Sequence, residues 1–416
     1  MGTKGLLSYL IKYARHFDSL HSYINYLKKI LGKINISCSI DGLNMLNIAK
    51  RAGGNDFIII VYNHLIKLLS YGISVSICLD GDVQYVEKQH ELEQRNNKKK
   101  INRNKLKELE QIELANQMLM SNDNKENVET KELKNDVIYK SYDTSNPHFI
   151  EINKLRKKLT KINDNDTSLL HGLCKILNIP VYVALGDADA LLSRLSYDKQ
   201  CDFVISGDMD MLTFGCDRMV KIERNGIYEF EKNMIIKDLG FTSFEQFIDM
   251  CVLSGCDYVK YTPNIKLEDS RKYILQYGTI QNILNVTDLK LSHFLQYLDD
   301  YEKAKLVFIK KPEEEKVDYS LCILTEVDPQ LLIKFFEKNT SGLSNKEKSN
   351  IIGHVRSVNF SIKLNIINKI KEASEKNHDE TSTFTLKKIG DKLNFITVQK
   401  HDTTVKMSCY SYDLTI

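Results

Sequence analysis

Tryptophan is absent and proline is scarce, five in 416 residues. That excludes Pro-rich linkers and Trp-marked repeats. No apolar stretch approaches the roughly 20 residues needed to span a bilayer. The longest, Phe57 to Leu69, is interrupted by Asn63, His64 and Lys67. No apolar leader stands at the N-terminus, so no secretory signal and no membrane partner are expected, and the chain reads as intracellular. Cysteine pairing is missing too. None of the nine Cys forms a C-x-x-C pair and most lie in apolar runs, so they read as buried reduced thiols, not zinc ligands or disulfides. Nor is there a large charge of either sign: 58 Lys+Arg stand against 55 Asp+Glu, a net charge of +3. General polyanion affinity is thereby excluded, and any nucleic-acid contact must come from local clusters. The 42% hydrophobic and 27% charged fractions are those of a soluble globular chain, and the length suggests two or three domains.

Apolar spacing of three and four predicts helices over Gly5 to Ala14, Leu20 to Leu31 and Phe57 to Leu69, and another marked by Leu169, Leu170, Leu173, Ile176 and Leu177. Between them lie four β-rich runs: Ile34 to Ile40, Ile73 to Leu79, Pro180 to Leu185 and Asp202 to Ser206. Strands alternating with helices predict an α/β fold with a mainly parallel central sheet flanked by helices. Between the second and third runs the character changes. Arg95 to Lys107 holds seven basic residues and no acidic one, Leu106 to Met120 reads as helix, Ser121 to Asn146 as a polar flexible segment, and Lys154 to Lys161 as basic helix. Beyond Asp210 the chain reads as helical, over Phe244 to Leu253, Ser270 to Tyr277, Gln330 to Glu337, Lys346 to Val355 and Ser361 to Ala373. A hairpin over Phe384 to Val398, turning at Gly390-Asp391, follows.

Each predicted strand ends at or just before an aspartate. Ligands bind outside the carboxyl ends of strands in open parallel sheets, so Asp41, Asp80, Asp187, Asp189, Asp208 and Asp210 are expected on one rim. Asp257, after the apolar Phe247 to Leu253 stretch, is a seventh that could approach from the helical part. Any one such Asp is ordinarily a helix N-cap. Two D-x-D pairs and two further strand-end Asp are harder to assign to capping alone. Clustered carboxylates either take up protons or bind cations, and an all-oxygen set without His or Cys suits Mg²⁺ or Mn²⁺ rather than zinc. Two such ions about 3.5–4 Å apart can activate water and stabilise the leaving oxygen of a phosphodiester.

A competing motif overlaps this set. Ile77-Cys78-Leu79-Asp80-Gly81-Asp82-Val83 fits the h-h-h-D-x-D-x-[T/V] start of haloacid-dehalogenase phosphatases, whose first Asp is a nucleophile. That reading gives Asp41, Asp187, Asp189, Asp257 and the basic segment no role.

Longer segments are more specific. The start Met1-Gly2-x-x-Gly5-Leu6 is followed by Asp41 and Asp80-Gly81 after apolar strands. Then come Asp187-Ala188-Asp189-Ala190, Ser206-Gly207-Asp208-Met209-Asp210-Met211-Leu212-Thr213-Phe214-Gly215 and Phe247 to Cys256-Asp257-Tyr258. In this order they resemble the flap endonuclease (XPG-type) family of structure-specific 5′ nucleases, over about residues 1–356. The resemblance implies a PIN-like 5′-nuclease fold with a helical arch and a helix–two-turn–helix region. It also implies two Mg²⁺ ions, replaceable by Mn²⁺, held by the seven aspartates. Cleavage would fall at single-strand/double-strand junctions of branched or flapped DNA, in replication, recombination or repair.

By the same resemblance Lys88 and Arg95, seven residues apart, are the catalytic cations that grip the scissile phosphate. Gly2, Lys98, Lys99, Lys100, Arg103, Lys266, Arg271 and Lys272 are implied nucleic-acid contacts. The implied division is 1–94 and 169–258 nuclease regions, 95–168 arch insert, 259–356 duplex-binding and wrapping region, and 357–416 an extension of unassigned role. Departures are visible. Both glutamates of the family's E-A-E-A box are aspartates here, one methylene shorter. Asn47 replaces a stacking Tyr. Tyr261-Thr262-Pro263-Asn264-Ile265-Lys266 lacks both glycines of the turn that often binds K⁺. Gln330-x-x-Ile333-x-x-Phe336 only approximates a sliding-clamp peptide, since Glu337 holds its second aromatic position, and it reads as core. A monomer is expected, in the nucleus or at a viral replication site in host cytoplasm; the Asn/Lys/Ile-rich composition suits an AT-rich genome. Other readings of the same residues are a catalytically silent DNA-junction binder and an RNA-directed nuclease of this fold.

Overall fold

The computed structural model describes residues 2–83, 86–122, 147–261, 263, 265–286, 292–309, 326–375, 383–389, 392–400 and 403–413. Among these, seven strands form one sheet in the order β1-β7-β6-β5-β2-β3-β4. They are β1 (Arg15–Phe17), β2 (Ser37–Asp41), β3 (Ser74–Leu79), β4 (Val181–Val183), β5 (Phe203–Ile205), β6 (Arg218–Glu223) and β7 (Gly226–Glu231). The pairs β2/β3, β3/β4, β2/β5 and β5/β6 are parallel, and β6/β7 and β1/β7 are antiparallel. The predicted mainly parallel α/β sheet is therefore observed.

Strand β2 lies between β3 and β5, where the winding of the sheet reverses. Crevices open at the carboxyl ends of strands at such a point. Helices cover both faces. One core contains Leu191, Phe230, Phe247, Ile248 and Ile274, and the other Leu27, Leu46, Val61, Leu65, Leu173 and Phe336, all buried. Continuous apolar burial suits strands covered on both faces: Ile77 and Cys78 of β3 are sealed, as are Phe203 and Val204 of β5.

Several expected boundaries move. The stretch after Asp210 is not wholly helical, because β6 and β7 form a hairpin around Arg224-Asn225 before the helices begin. An Asn-Gly pair flanked by Ile222 and Ile227 is a hairpin signal, and the helical reading passed over it. The helix expected over Gly5 to Ala14 stops at Leu10, tightens over Ile11–Tyr13, and feeds β1, whose Arg15 pairs with the buried Glu229. Lys346 to Val355 and Ser361 to Ala373 are one helix, Asn345–Glu375, that crosses residue 356; Val358 and Ile362 are buried in its packed stretch. The basic run and Leu106 to Met120 share a single helix, Gln89–Asn122. The expected hairpin is the pair β8 (Thr383–Ile389) and β9 (Lys392–Lys400), joined by β10 (Thr403–Asp413); its turn at Gly390-Asp391 lies outside the described residues. So does nearly all of Ser121 to Asn146, as do Thr262 and Asn264. Ile333 and Phe336 are buried, Phe336 edge-on to Tyr62, so this stretch of helix Pro329–Asn339 is core as expected. No described helix is long and apolar enough to cross a membrane.

Candidate active site

Asp41 closes β2 and caps the helix Gly42–Gly53, its Oδ1 accepting the Asn44 N–H at 2.9 Å. Its other oxygen accepts the Ser206 hydroxyl at 3.1 Å, which ties β2 to the end of β5. Asp80 follows β3 and accepts the Ala188 N–H at 2.8 Å, so the β3 end is bound to the start of helix Ala188–Tyr197. Asp187 and Asp189 lie on that same turn. Asp208 and Asp210 follow β5, and the Asp210 N–H donates to Asp208 Oδ1 at 3.1 Å. Asp257 enters from the end of helix Phe244–Ser254.

The N-terminus sews these halves together. Gly2 N–H donates to Asp257 Oδ2 at 3.1 Å, and Thr3 gives both its N–H, at 2.6 Å, and its hydroxyl, at 3.0 Å, to Asp210 Oδ1. Gly2 has φ +79°, and a Cβ there would come within 2.6 Å of the Asp208 and Asp210 carboxylates. Only glycine fits that approach.

The two expected cations lie on the acids. Lys88 Nζ contacts Asp187 Oδ2 at 2.6 Å, and Arg95 Nη2 contacts Asp257 Oδ2 at 2.6 Å while its Nε bonds Glu91. Tyr258 donates its hydroxyl to the same Asp187 oxygen at 2.8 Å, and Lys88 also stands over the Tyr258 ring.

Crowded charge shows in the acid equilibria. Burial pushes Asp41 up to about 6, with repulsion from Asp80 and Asp208 adding to it against the Asn44 and Ser206 hydrogen bonds. Burial and then Asp208 push Asp210 up to about 7. Asp189 rises well above the carboxylate range, through burial and then Asp208, Asp41 and Asp80. Asp80 keeps a solvent-facing surface at the rim, yet the surrounding protein and Asp187 raise it too. Burial alone would lower Lys88 and Arg95; Asp187 and Asp189 around Lys88, and Asp257 and Glu91 around Arg95, outweigh it and raise both.

Among the described residues, no three acidic, His or Cys side chains are already closed around a point in the manner of a formed metal cage. Oxygens that would face an ion instead accept Lys88, Arg95, Thr3 and Gly2. The donor chemistry nevertheless fits hard divalent cations. The expected set is all oxygen, and buried mutually repelling carboxylates are relieved by added positive charge. The phosphatase motif fits poorly. Asp82 is exposed and makes no hydrogen bond or ion pair among the described residues, whereas Asp80 faces Asp187 and Lys88.

Other expected contacts are spread out. Lys98, Lys99, Lys100 and Arg103 are exposed on the helix Gln89–Asn122 and make no ion pair among the described residues. Lys266 is the N-cap residue of helix Leu267–Tyr277 and exposed; Lys272 is exposed and lies 3.6 Å from Asp269. Arg271 instead donates Nε to the Leu239 carbonyl at 2.7 Å, so one of its donors is committed to the fold. Asn47 bonds the Leu43 carbonyl on its own helix at 2.9 Å. Sequence reading missed Thr3, Tyr258 and Ser206 as partners of the acids. Thr3 is an unspecified position inside one quoted segment, Tyr258 ends another and Ser206 begins a third, which was the available signal.

Residues 178–257 match the XPG I-region family model. Flap endonuclease 1-B from Oryza sativa subsp. indica is 28% identical over 207 residues, 45% of this chain and 50% of that protein. The chain thus spans about half the length of the curated relatives it matches. In three dimensions it resembles the catalytic core of Rad2 in complex with DNA substrate, with TM-score 0.56 and 16% identity, covering 85% of this chain and 100% of that one. It also resembles the Holliday junction-resolving enzyme GEN1 in complex with product DNA and Mg²⁺, with TM-score 0.55 and 12% identity over 98% of this chain and 94% of that one. These likenesses define the fold as that of the 5′ nucleases. Residues 178–257 thus carry an XPG I-region, and the curated relatives matched over about half their length are flap endonucleases.

Proposed function

We propose that the chain is a metal-dependent, structure-specific 5′ nuclease that hydrolyses phosphodiesters at single-strand/double-strand DNA junctions inside the cell. The observation that carries this reading is the gathering of strand-end aspartates at the sheet's switch point with Lys88 and Arg95 laid across them. Asp41, Asp80, Asp187, Asp189, Asp208, Asp210 and Asp257 would hold the ions. Two Mg²⁺, or Mn²⁺ in their place, would supply Lewis-acid polarisation and a nucleophile from water at neutral pH.

The remaining chemistry belongs to the chain. Lys88 and Arg95 bring positive charge to where a phosphate would sit, and favour the transition state by meeting its developing negative charge. Thr3 and Ser206 fix the orientations of Asp210 and Asp41. Residues 1–94 and 169–258 serve as the nuclease regions, 95–168 as the arch over the single strand, and 259–356 as the duplex-binding and wrapping part, with Lys266 and Lys272 toward phosphates.

The test is a labelled 5′-flapped duplex incubated with Mg²⁺, with Mn²⁺ and with EDTA. Cleavage is expected at the junction with either ion and none in EDTA. Asp210→Ala should lose cleavage by at least about 10²–10³-fold, with flap binding retained. Full activity of that variant, or activity in excess EDTA, would remove the metal mechanism. Binding by the unmodified chain without cleavage in either ion would leave a junction-binding protein instead. Faster cleavage of an RNA flap would reassign the substrate.

A further inference from the structure

Asp187 is held differently from Asp41 at the same rim. It is the N-cap residue of helix Ala188–Tyr197, yet its side chain accepts no N–H from that helix. The N–H of Ala188, the first residue of the helix, goes to Asp80 instead. Asp41, by contrast, is fixed by its own helix through the Asn44 N–H. An aspartate without a cap bond takes its rotamer from whatever else it touches. Here that is Tyr258 and Lys88. The Tyr258 hydroxyl donates at 2.8 Å and Lys88 Nζ at 2.6 Å, both to Oδ2. Among the described residues, Oδ1 of Asp187 accepts no hydrogen bond.

The two donors are not equivalent. Lys88 is a point charge on a flexible four-carbon stem. Under the nuclease reading it also meets a phosphate, which competes with Asp187 for the same ammonium. Tyr258 cannot turn away. It is 3% exposed, and its ring stands edge-on to Phe214 at 6.0 Å and to Phe308 at 5.1 Å. Phe214 follows the short helix Asp210–Thr213 and Phe308 belongs to helix Leu298–Ile309, so separate elements fix the place of the ring and its hydroxyl oxygen. A buried tyrosine hydroxyl ordinarily finds a partner, and this one finds an acid 71 residues away in the chain. The shorter side chain sharpens the need. Aspartate has one torsion fewer than glutamate with which to correct its aim.

We infer that Tyr258 is a positioning residue for Asp187. Its hydroxyl holds Oδ2, keeps Oδ1 available to a divalent ion, and goes on doing so when Lys88 turns to the phosphate. The inference rests on the metal-dependent nuclease reading and adds to it a residue that acts only through the acid it holds. Carboxylate ligands depend on such outer hydrogen bonds, and losing one costs about 10–100-fold in metal affinity or activity.

Mn²⁺ binding by isothermal titration calorimetry, with no DNA present, reads this apart from turnover. Tyr258→Phe keeps the ring between Phe214 and Phe308 and removes only the hydroxyl. It should weaken Mn²⁺ binding by about 10–100-fold. In a single-turnover flap assay the midpoint of the Mn²⁺ dependence should rise by the same factor, and the rate at saturating Mn²⁺ should return to that of the unmodified chain. Flap affinity in EDTA should be unchanged. The effect should vanish in an Asp187→Ala background, because two changes that act through one partner do not add. Tyr62→Phe is the control. Its hydroxyl is buried in the other core without a hydrogen-bond partner among the described residues, and its removal should leave Mn²⁺ binding unaltered.

Unchanged Mn²⁺ affinity in Tyr258→Phe, an equal loss in Tyr62→Phe, or an undiminished loss on top of Asp187→Ala would overturn the inference. So would a lower rate at saturating Mn²⁺ with the midpoint unmoved. A lower melting temperature with Mn²⁺ affinity unmoved would reduce the contact to a structural tie. The metal reading has its own outcome: no Mn²⁺ bound by the unmodified chain would remove it. Mn²⁺ bound equally by the unmodified chain and Tyr258→Phe would remove the role of Tyr258 and spare the nuclease.

Discussion

At the scale of single residues the site is a problem of crowded negative charge. Asp41 and Asp210 are raised to about 6 and about 7 by burial first and neighbouring carboxylates second. A carboxyl whose folded value lies above its unfolded value near 3.9 binds more protons when folded. Its contribution to stability is complete below the unfolded value and is lost as pH rises through the folded one. In EDTA the melting temperature should therefore carry a component that falls between about pH 4 and pH 7, and millimolar Mg²⁺ at pH 7.5 should restore it. A metal-free melting temperature that rises steadily across that window, with no response to Mg²⁺, would contradict the clustering. Steric demands are as sharp. A Cβ on Gly81 would stand 1.8 Å from the Ala184 carbonyl oxygen, where the Asp80 turn packs on the β4 end. Gly81→Ala should cost about 1–3 kcal/mol, the usual range for overpacking, read as a lower midpoint in urea. The aspartates were legible because each follows an apolar run. Their partners were not, because Thr3 and Asp210 are 207 residues apart and Tyr258 and Asp187 are 71 apart; no local pattern encodes such pairings.

Whole elements aim these residues. Lys88 and Arg95 are seven apart, nearly two helical turns, so both look to the same side. Lys88 lies in the tight turn Val86–Lys88 and Arg95 in the second turn of the helix Gln89–Asn122. One end of that helix is therefore fixed to the acids by two ion pairs at 2.6 Å. Lys88→Met and Arg95→Met should each lower the single-turnover rate by about 10²–10³-fold, the range for removing one transition-state donor, with flap affinity changed far less. Equal losses of affinity and rate would make them binding residues rather than catalytic ones. Strand and helix identities were largely readable, since β2, β3, β4 and β5 are apolar runs of the right length. The ends were harder. Nothing in the periodicity of Asn345–Glu375 separates one long helix from two short ones, and continuity there comes from packing: Val355, Val358 and Ile362 all enter one core. Edge strand β1 had the weakest signal, three residues whose place is set by β7 and by Glu229.

The molecule as a whole is almost neutral, and this constrains how it can hold DNA. With a net charge of +3, long-range attraction is weak, so affinity must come from discrete phosphate contacts. The exposed cations proposed for that role, Lys98, Lys99, Lys100, Arg103, Lys266 and Lys272, lie on two elements at the two sides of the aspartate rim in sequence, before Asp187 and after Asp257. If all six displace condensed counterions, the log–log salt slope for a flapped duplex falls between about −4 and −5.5. Affinity then drops on the order of 10³-fold between 50 and 200 mM salt. Replacing the four arch cations with Gln should remove about two-thirds of that slope and leave the Lys266 and Lys272 share, measured by anisotropy in EDTA. A nearly flat profile in the unmodified chain would mean that shape or apolar contact holds the substrate. A profile unmoved by the fourfold change would transfer the phosphate contacts from the arch to elements after Asp257.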